Sequence, residues 1–132
     1  MGSGSAGGRA VERGLRWPLE ITEERSDGVS VLALSGRVGQ RSAPQLAAAI
    51  GRLLDRPAPR LVLDFTLVDY ISSAGLEVIA TAASQFAAAD GVLVLASVGE
   101  PVRIALDLAG LLEHLLFEPS RERAVAVAIR RC

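Results

Sequence analysis

Two short stretches of the chain are apolar at almost every position: Arg60–Phe65 (RLVLDF) and Val92–Ala96 (VLVLA). A strand with one face in water alternates apolar and polar residues. An unbroken apolar run fits only where both faces are covered, as in a central strand of a parallel sheet with helices packed on it. Parallel strands need crossover connections, and the intervening segments supply helices for them. Ser42–Leu54 places Leu46, Ile50, Leu53 and Leu54 on one helical face, with Ser42 as the expected N-cap, Pro44 in the first turn, and Pro57 and Pro59 beyond the end. Ser72–Ala89 carries a stripe of Leu76, Ile79, Ala80, Ala83, Phe86 and Ala87. Asp90-Gly91 stops it, with glycine in the position that favours helix termination. Pro101–Leu112 is amphipathic, Leu115–Phe117 reads as a short strand and Ser120–Ile129 as a last helix.

Ahead of this alternation, Leu19–Glu24 (LEITEE) has the period of a half-exposed strand, and Ser26-Asp27-Gly28 is a turn signal. Val29–Ser35 (VSVLALS) is a second strand, ended by Gly36, so the two form a hairpin. The predicted order is β-β-α-β-α-β-α-β-α. This is an α/β fold with a mixed, mostly parallel sheet, an N-terminal hairpin and about four helices. A length of 132 residues suits one domain, and with half the residues hydrophobic but only 4% aromatic its core is aliphatic. Residues 1–8 (MGSGSAGG) are Gly/Ser-rich, and 9–18 are polar and arginine-bearing up to Pro18. Residues 1–18 are therefore read as a flexible tail and 19–132 as the folded domain.

Composition excludes several classes of function. A net charge of −1 with no run of either sign gives no electrostatic basis for direct nucleic-acid or membrane binding. All fourteen basic residues are arginine, so no lysine is available for a Schiff base or a P-loop. The one cysteine, Cys132, cannot form an internal disulfide. No stretch of eighteen apolar residues or secretory h-region occurs, and the expected location is the cytoplasm. The one histidine, His114, and Cys132 make no metal cluster, and no G-x-G-x-x-G or Walker pattern is present, so no cofactor is expected. Ile71-Ser72-Ser73-Ala74-Gly75 lacks the first glycine of a nucleophile elbow, and His114, in the apolar stretch Leu111–Leu116, has the setting of a surface histidine. No enzyme activity is expected.

The informative segment is Leu61–Leu76 (LVLDFTLVDYISSAGL). It reads as a buried strand ending near Asp64, a loop, and two serines opening a helix. In open α/β sheets partners are met at the carboxyl ends of the strands. One serine serves as N-cap, and the other is left at a helix end that carries free N–H donors and partial positive charge. A phosphate there adds about −1.5 to −2 charge without disrupting the fold, so its effect falls on whatever docks. Both Ser72 and Ser73 stand at such an end. The docking surface is expected to comprise Asp69, Tyr70, Ser72, Ser73, Ala74, Gly75 and Glu77. Gly75 is read as leaving room for a partner's backbone, Tyr70 as a lid on the core or a contact, and Asp64 as capping a loop amide.

The same residues carry a resemblance. Val62, Leu63, Asp64, Val68, Tyr70, Ile71, Ser72, Ser73, Gly75 and Leu76 resemble the signature of STAS domains of the anti-sigma factor antagonist type. The likeness extends over Val29–Ile129, including Leu34-Ser35-Gly36 and the pattern Pro101-Val102, Leu106, Gly110-Leu111. It implies a STAS fold and a non-enzymatic switch protein. An anti-sigma factor that is itself a serine kinase would phosphorylate Ser73, the position matched by counting back from Gly75-Leu76, with Ser72 as second choice; the unphosphorylated form would bind that kinase and release a sigma factor, and a PP2C-type phosphatase would restore it. The alternative role within the family is an accessory subunit of a lipid-transport ABC system or of a stress-signalling complex, with no serine switch. Two positions depart from the family pattern: Ser72 stands where an acid usually precedes the phosphoserine, and Gly39 where an aspartate follows the Leu-Ser-Gly turn. A monomer or a weak homodimer through the edge strand Leu19–Glu24 is expected.

Overall fold

The computed structural model describes residues 19–131; the tail at 1–18 and Cys132 lie outside the described residues. Strands β1 (Leu19–Ser26) and β2 (Val29–Val38) form the hairpin, followed by α1 (Ala43–Leu53), β3 (Arg60–Ile71), α2 (Ser73–Ala88), β4 (Val92–Ala96) and α3 (Glu100–Leu108). A short 3-10 turn (Leu112–His114), β5 (Leu116–Glu118) and α4 (Arg121–Arg130) complete the domain. Asp27 and Gly28 both take positive φ, 54° and 82°, and close the hairpin as a tight two-residue turn whose twist matches its strands.

The sheet runs β1-β2-β3-β4-β5, with β1 antiparallel to β2 and every other pair parallel. The apolar runs are explained by its two faces. Leu61, Leu63, Phe65, Leu93 and Leu95 join one buried cluster with Leu46 and Ile50 of α1, Ile79 and Phe86 of α2, and Val102 and Leu106 of α3. Val62, Val92, Val94 and Ala96 point the other way, against Ala124, Val125 and Ala128 of α4. The three crossover helices thus share one face, as same-handed crossovers between sequential strands require, and α4 covers the other.

Several boundaries differ from the sequence expectation, the larger departures for local reasons. β3 does not end near Asp64 but continues to Ile71, and β2 to Val38. Beyond the last β3–β4 pair, Asp64–Ala96, β3 pairs only with β2, through two register shifts, up to Val38–Ile71. The supposed loop at residues 67–71 is therefore the end of a strand in a projecting ribbon, held down by buried Val68 and Ile71. α3 stops at Leu108, not Leu112, because the chain turns left-handed at Gly110 (φ 75°) and the Leu111 N–H returns to the Leu106 carbonyl. At the end of α2 the left-handed residue is Asp90 (φ 56°), not Gly91. Gly91 is needed because a Cβ there would lie 2.4 Å from the Pro59 carbonyl oxygen.

Candidate functional site

The site lies where β2 and β3 end and α2 begins. The Ser72 N–H donates to the Val38 carbonyl (2.8 Å), tying the start of the helix to the end of β2. Ser72 has extended backbone (φ −90°, ψ 175°), and its hydroxyl accepts from the Gly75 N–H at 3.2 Å. Ser72 is thus the N-cap, and its oxygen is occupied in satisfying a helix N–H that would otherwise have no partner. Ser73 is the first helical residue, exposed, and its hydroxyl has no hydrogen-bond partner among the described residues.

Asp69, Tyr70 and Glu77 are also exposed, and Ala74 partly so. Tyr70 is no lid on the core. It is 40% exposed, and the Arg37 guanidinium lies 4.3 Å from its ring centroid, a stacked cation–π pair on the ribbon. Leu67, two-thirds exposed, stands on the same ribbon. Gly75 departs most from expectation because it is buried. A Cβ there would come within 2.7 Å of the Ile71 and Val38 Cγ1 atoms and 3.1 Å of the Val38 carbonyl oxygen. The absent side chain lets the first turn of α2 seat on the ribbon; it does not open space for a partner.

Two hollows take part of their lining from the expected docking residues, Tyr70 in one and Ala74 and Glu77 in the other. One, of about 260 Å³, is lined by Arg37, Gly39, Gln40, Arg41, Ser42 and Tyr70. The turn that shapes it is held by Ser42, which sits at the N-cap position of α1 but makes no capping bond through its side chain. The Ser42 hydroxyl instead accepts from the Gly39 N–H (2.9 Å) and donates to the Arg37 carbonyl (2.8 Å). The other, of about 200 Å³, is a shallow groove between α1 and α2 lined by Ala47, Ile50, Ala74, Glu77, Val78 and neighbouring residues. His114 lies in a different hollow with Phe86 and Gly91, beyond the far end of α2 and about 20 Å along that helix from Ser73, so the two cannot act as base and nucleophile.

Asp64 does cap a backbone amide, as its position suggested, but sequence reasoning missed its main partner. Its Oδ1 accepts from the Thr66 N–H (3.0 Å) and hydroxyl (2.6 Å), and its Oδ2 from Arg121 Nε (2.9 Å). Arg121 Nη1 also reaches Glu24 at 2.7 Å, so one residue in the first turn of α4 clasps β1 and β3. No spacing in the sequence relates residues 24, 64 and 121. Burial opposes ionisation of Asp64, but the Thr66 bonds, followed by Arg121, outweigh it and hold the carboxyl below its ordinary range. A depressed pKa in the folded state stabilises the fold above the unfolded value near pH 4, and that contribution is lost as pH falls through the folded value. Asp64→Asn is expected to lower stability at neutral pH by about 1 kcal/mol. It should also flatten the loss of stability on acidification below about pH 4. Chemical denaturation at pH 7 and pH 3 checks both.

Among the described residues no three His, Cys, Asp or Glu side chains gather as a metal site, and no helix is long and apolar enough to cross a membrane.

A family model described as STAS domain matches residues 20–124. BtrV of Bordetella bronchiseptica, described as a candidate anti-sigma factor antagonist, is 36% identical over 108 residues, covering 82% of this chain and 93% of its own. The crystal structure of an anti-sigma factor antagonist from Mycobacterium paratuberculosis superposes with a TM-score of 0.76 at 28% identity, over 85% of this chain and 95% of that one. The Bacillus cell fate determinant SpoIIAA in its phosphorylated form gives a TM-score of 0.65 at 17% identity, over 82% of this chain and 99% of that one, a likeness of fold alone.

Proposed function

The chain belongs to the STAS domain family, and from that premise we infer that it is an anti-sigma factor antagonist switched by phosphorylation of Ser73. The observation that carries the choice of residue is the division of labour between the two serines. The Ser72 oxygen accepts from the Gly75 N–H, whereas the Ser73 hydroxyl is exposed and unengaged at the first position of α2. A kinase can reach the second without breaking the cap. The new charge then sits beside free helix N–H groups, which tolerate it, and in the middle of the surface that a partner must cover, which does not. The partner is an anti-sigma factor serine kinase, bound by the unphosphorylated form to release its sigma factor, and a PP2C-type phosphatase reverses the modification. Asp69, Tyr70, Ala74 and Glu77 surround the switch and form the rest of the contact.

The test is incubation with the cognate anti-sigma kinase and ATP, read by intact-mass spectrometry. One phosphate is expected on the wild type and on Ser72→Ala, and none on Ser73→Ala. Ser72→Ala should meanwhile lose about 1 kcal/mol of stability with its cap. Phosphate retained in Ser73→Ala and lost in Ser72→Ala overturns the assignment. No phosphate at all, with an ATPase subunit co-purifying, replaces the switch with the transporter-subunit role.

A further inference from the structure

We propose that the hollow between the tip of the β1–β2 hairpin and the loop from α1 to β3 is a binding site for a doubly charged phosphate group. About 220 Å³ in volume, it takes lining from three arginines, Arg25, Arg56 and Arg60, together with Ser30 and Leu53, and from no carboxylate. One exposed arginine without a counter-ion is ordinary. Three on one hollow make a field of a single sign, which draws anions in. None of the three forms an ion pair with a described residue, and neither do Asp27 and Asp55, the acids nearest them in sequence. Gathered like charges repel, so a bound dianion would relieve a cost that the fold carries.

The hollow also holds a buried polar group with hydrogen-bonding capacity to spare. Ser30 is 1% exposed and faces Arg25 across the hairpin, and its hydroxyl accepts from Arg25 Nη1 at 2.8 Å. The Ser30 proton has no acceptor among the described residues, and an oxygen entering the hollow would supply one. Arg25 spends one of its five N–H donors on this bond, and the side chains of Arg56 and Arg60 make no hydrogen bond to a described residue. The loop is held in shape. Pro57 and Pro59 fix their own φ, and the Pro59 carbonyl accepts from the Val92 N–H at 2.8 Å. Planar guanidinium forks from three directions suit the several oxygens of a phosphate better than the two of a carboxylate. The volume falls below the range usual for drug-sized ligands and no aromatic ring lines it, which fits a phosphate with a small remainder and not a nucleotide base. Arg60 opens β3 and Ile71 ends it, so up to about 35 Å of strand separates the hollow from the start of α2. The site therefore stands apart from the serine switch and does not depend on it.

Inorganic phosphate, titrated into the isotope-labelled full chain at about pH 8 and constant ionic strength and followed by NMR, tests the site. Saturable shifts are expected at Arg25, Ser30, Arg56 and Arg60, with none at Ser73 or Gly75. Arg56→Gln and Arg60→Gln should each weaken binding about tenfold, while Arg41→Gln, which removes a charge outside the hollow, leaves it unchanged. Acetate at matched ionic strength should give no saturable shift. Phosphate at about ten times its dissociation constant should raise the melting temperature of the wild type by about 5 °C, and that of Arg60→Gln by about 2 °C at the same concentration. Without phosphate, Arg56→Gln and Arg60→Gln should melt at or above wild type, because a repelling charge is gone. Shifts centred on Ser73, equal binding of acetate, or full affinity in both variants would each overturn the proposal. So would variants that melt well below wild type without phosphate, since those arginines would then serve the fold and not a ligand. Glycerol 3-phosphate separates the two sources of the group: tighter binding than inorganic phosphate identifies a phosphate monoester, and weaker binding the free ion.

Discussion

Phosphorylation of Ser73 is expected to weaken binding of the anti-sigma factor by about two orders of magnitude, equivalent to about 3 kcal/mol. The size follows from where the charge lands. Ser73 is exposed at the first position of α2, its hydroxyl is free of partners among the described residues, and exposed Glu77 follows one turn along the same helix. A dianion buried there in a complex must be desolvated without a cation made for it, and the penalty for an unpaired buried charge is several kcal/mol. The unbound chain feels little of this, because the phosphate sits at a helix N-terminus that favours negative charge by about 0.3–1 kcal/mol. Substitutions should grade the effect. Ser73→Ala keeps wild-type affinity and cannot be switched. Ser73→Asp, with one charge in place of nearly two and less reach, weakens binding by about tenfold. Surface-plasmon or calorimetric affinities of the three forms check the order.

Gly75→Ala, two residues from the switch, is expected to lower stability by about 2 kcal/mol and the melting temperature by about 6–10 °C. Helix propensity alone would predict a gain of about 1 kcal/mol, since glycine is a poor helix former. Packing reverses the sign. The new methyl group would meet the Val38 and Ile71 side chains at 2.7 Å and the Val38 carbonyl at 3.1 Å. Both side chains are β-branched and buried, so neither can swing aside. Relief requires the first turn of α2 to lift from the ribbon, which also displaces Ser73. The variant should therefore lose affinity for the partner along with stability. A melting temperature at or above wild type would show that the contact is not as tight as described.

The fold was largely legible in the chain, and the reasons are physical. Val92–Ala96 appears as a strand over the predicted residues because an unbroken apolar run has one plausible environment, and both faces are indeed covered. The hairpin was legible because Asp27-Gly28 is a tight-turn dipeptide between alternating strands. What was not legible depended on partners distant in sequence. Residues 67–71 (LVDYI) lie beyond the run that predicts the buried strand, and they continue it because residues 35–38 are there to pair with them. The clasp of Arg121 on Asp64 and Glu24 joins positions 57 and 97 residues apart. At the site, two serines opening a helix could be placed from local rules, but which one caps and which stays free is decided by backbone angles. Gly75 was misread for the same reason. A glycine beside a candidate site suggests access, and only the coordinates of Val38 and Ile71 reveal that it is a packing requirement.

In the proposed switch, negative charge on one exposed hydroxyl decides docking while the fold stays as it is. This is tested most directly by one calorimetric titration, performed with the anti-sigma factor and the chain before and after stoichiometric phosphorylation of Ser73. Saturable binding is expected before modification, and about a hundredfold weaker binding or none afterwards, from a chain that still melts within about 2 °C of the unmodified one. Equal affinities for the two forms would contradict it, as would a loss of binding accompanied by a large fall in melting temperature.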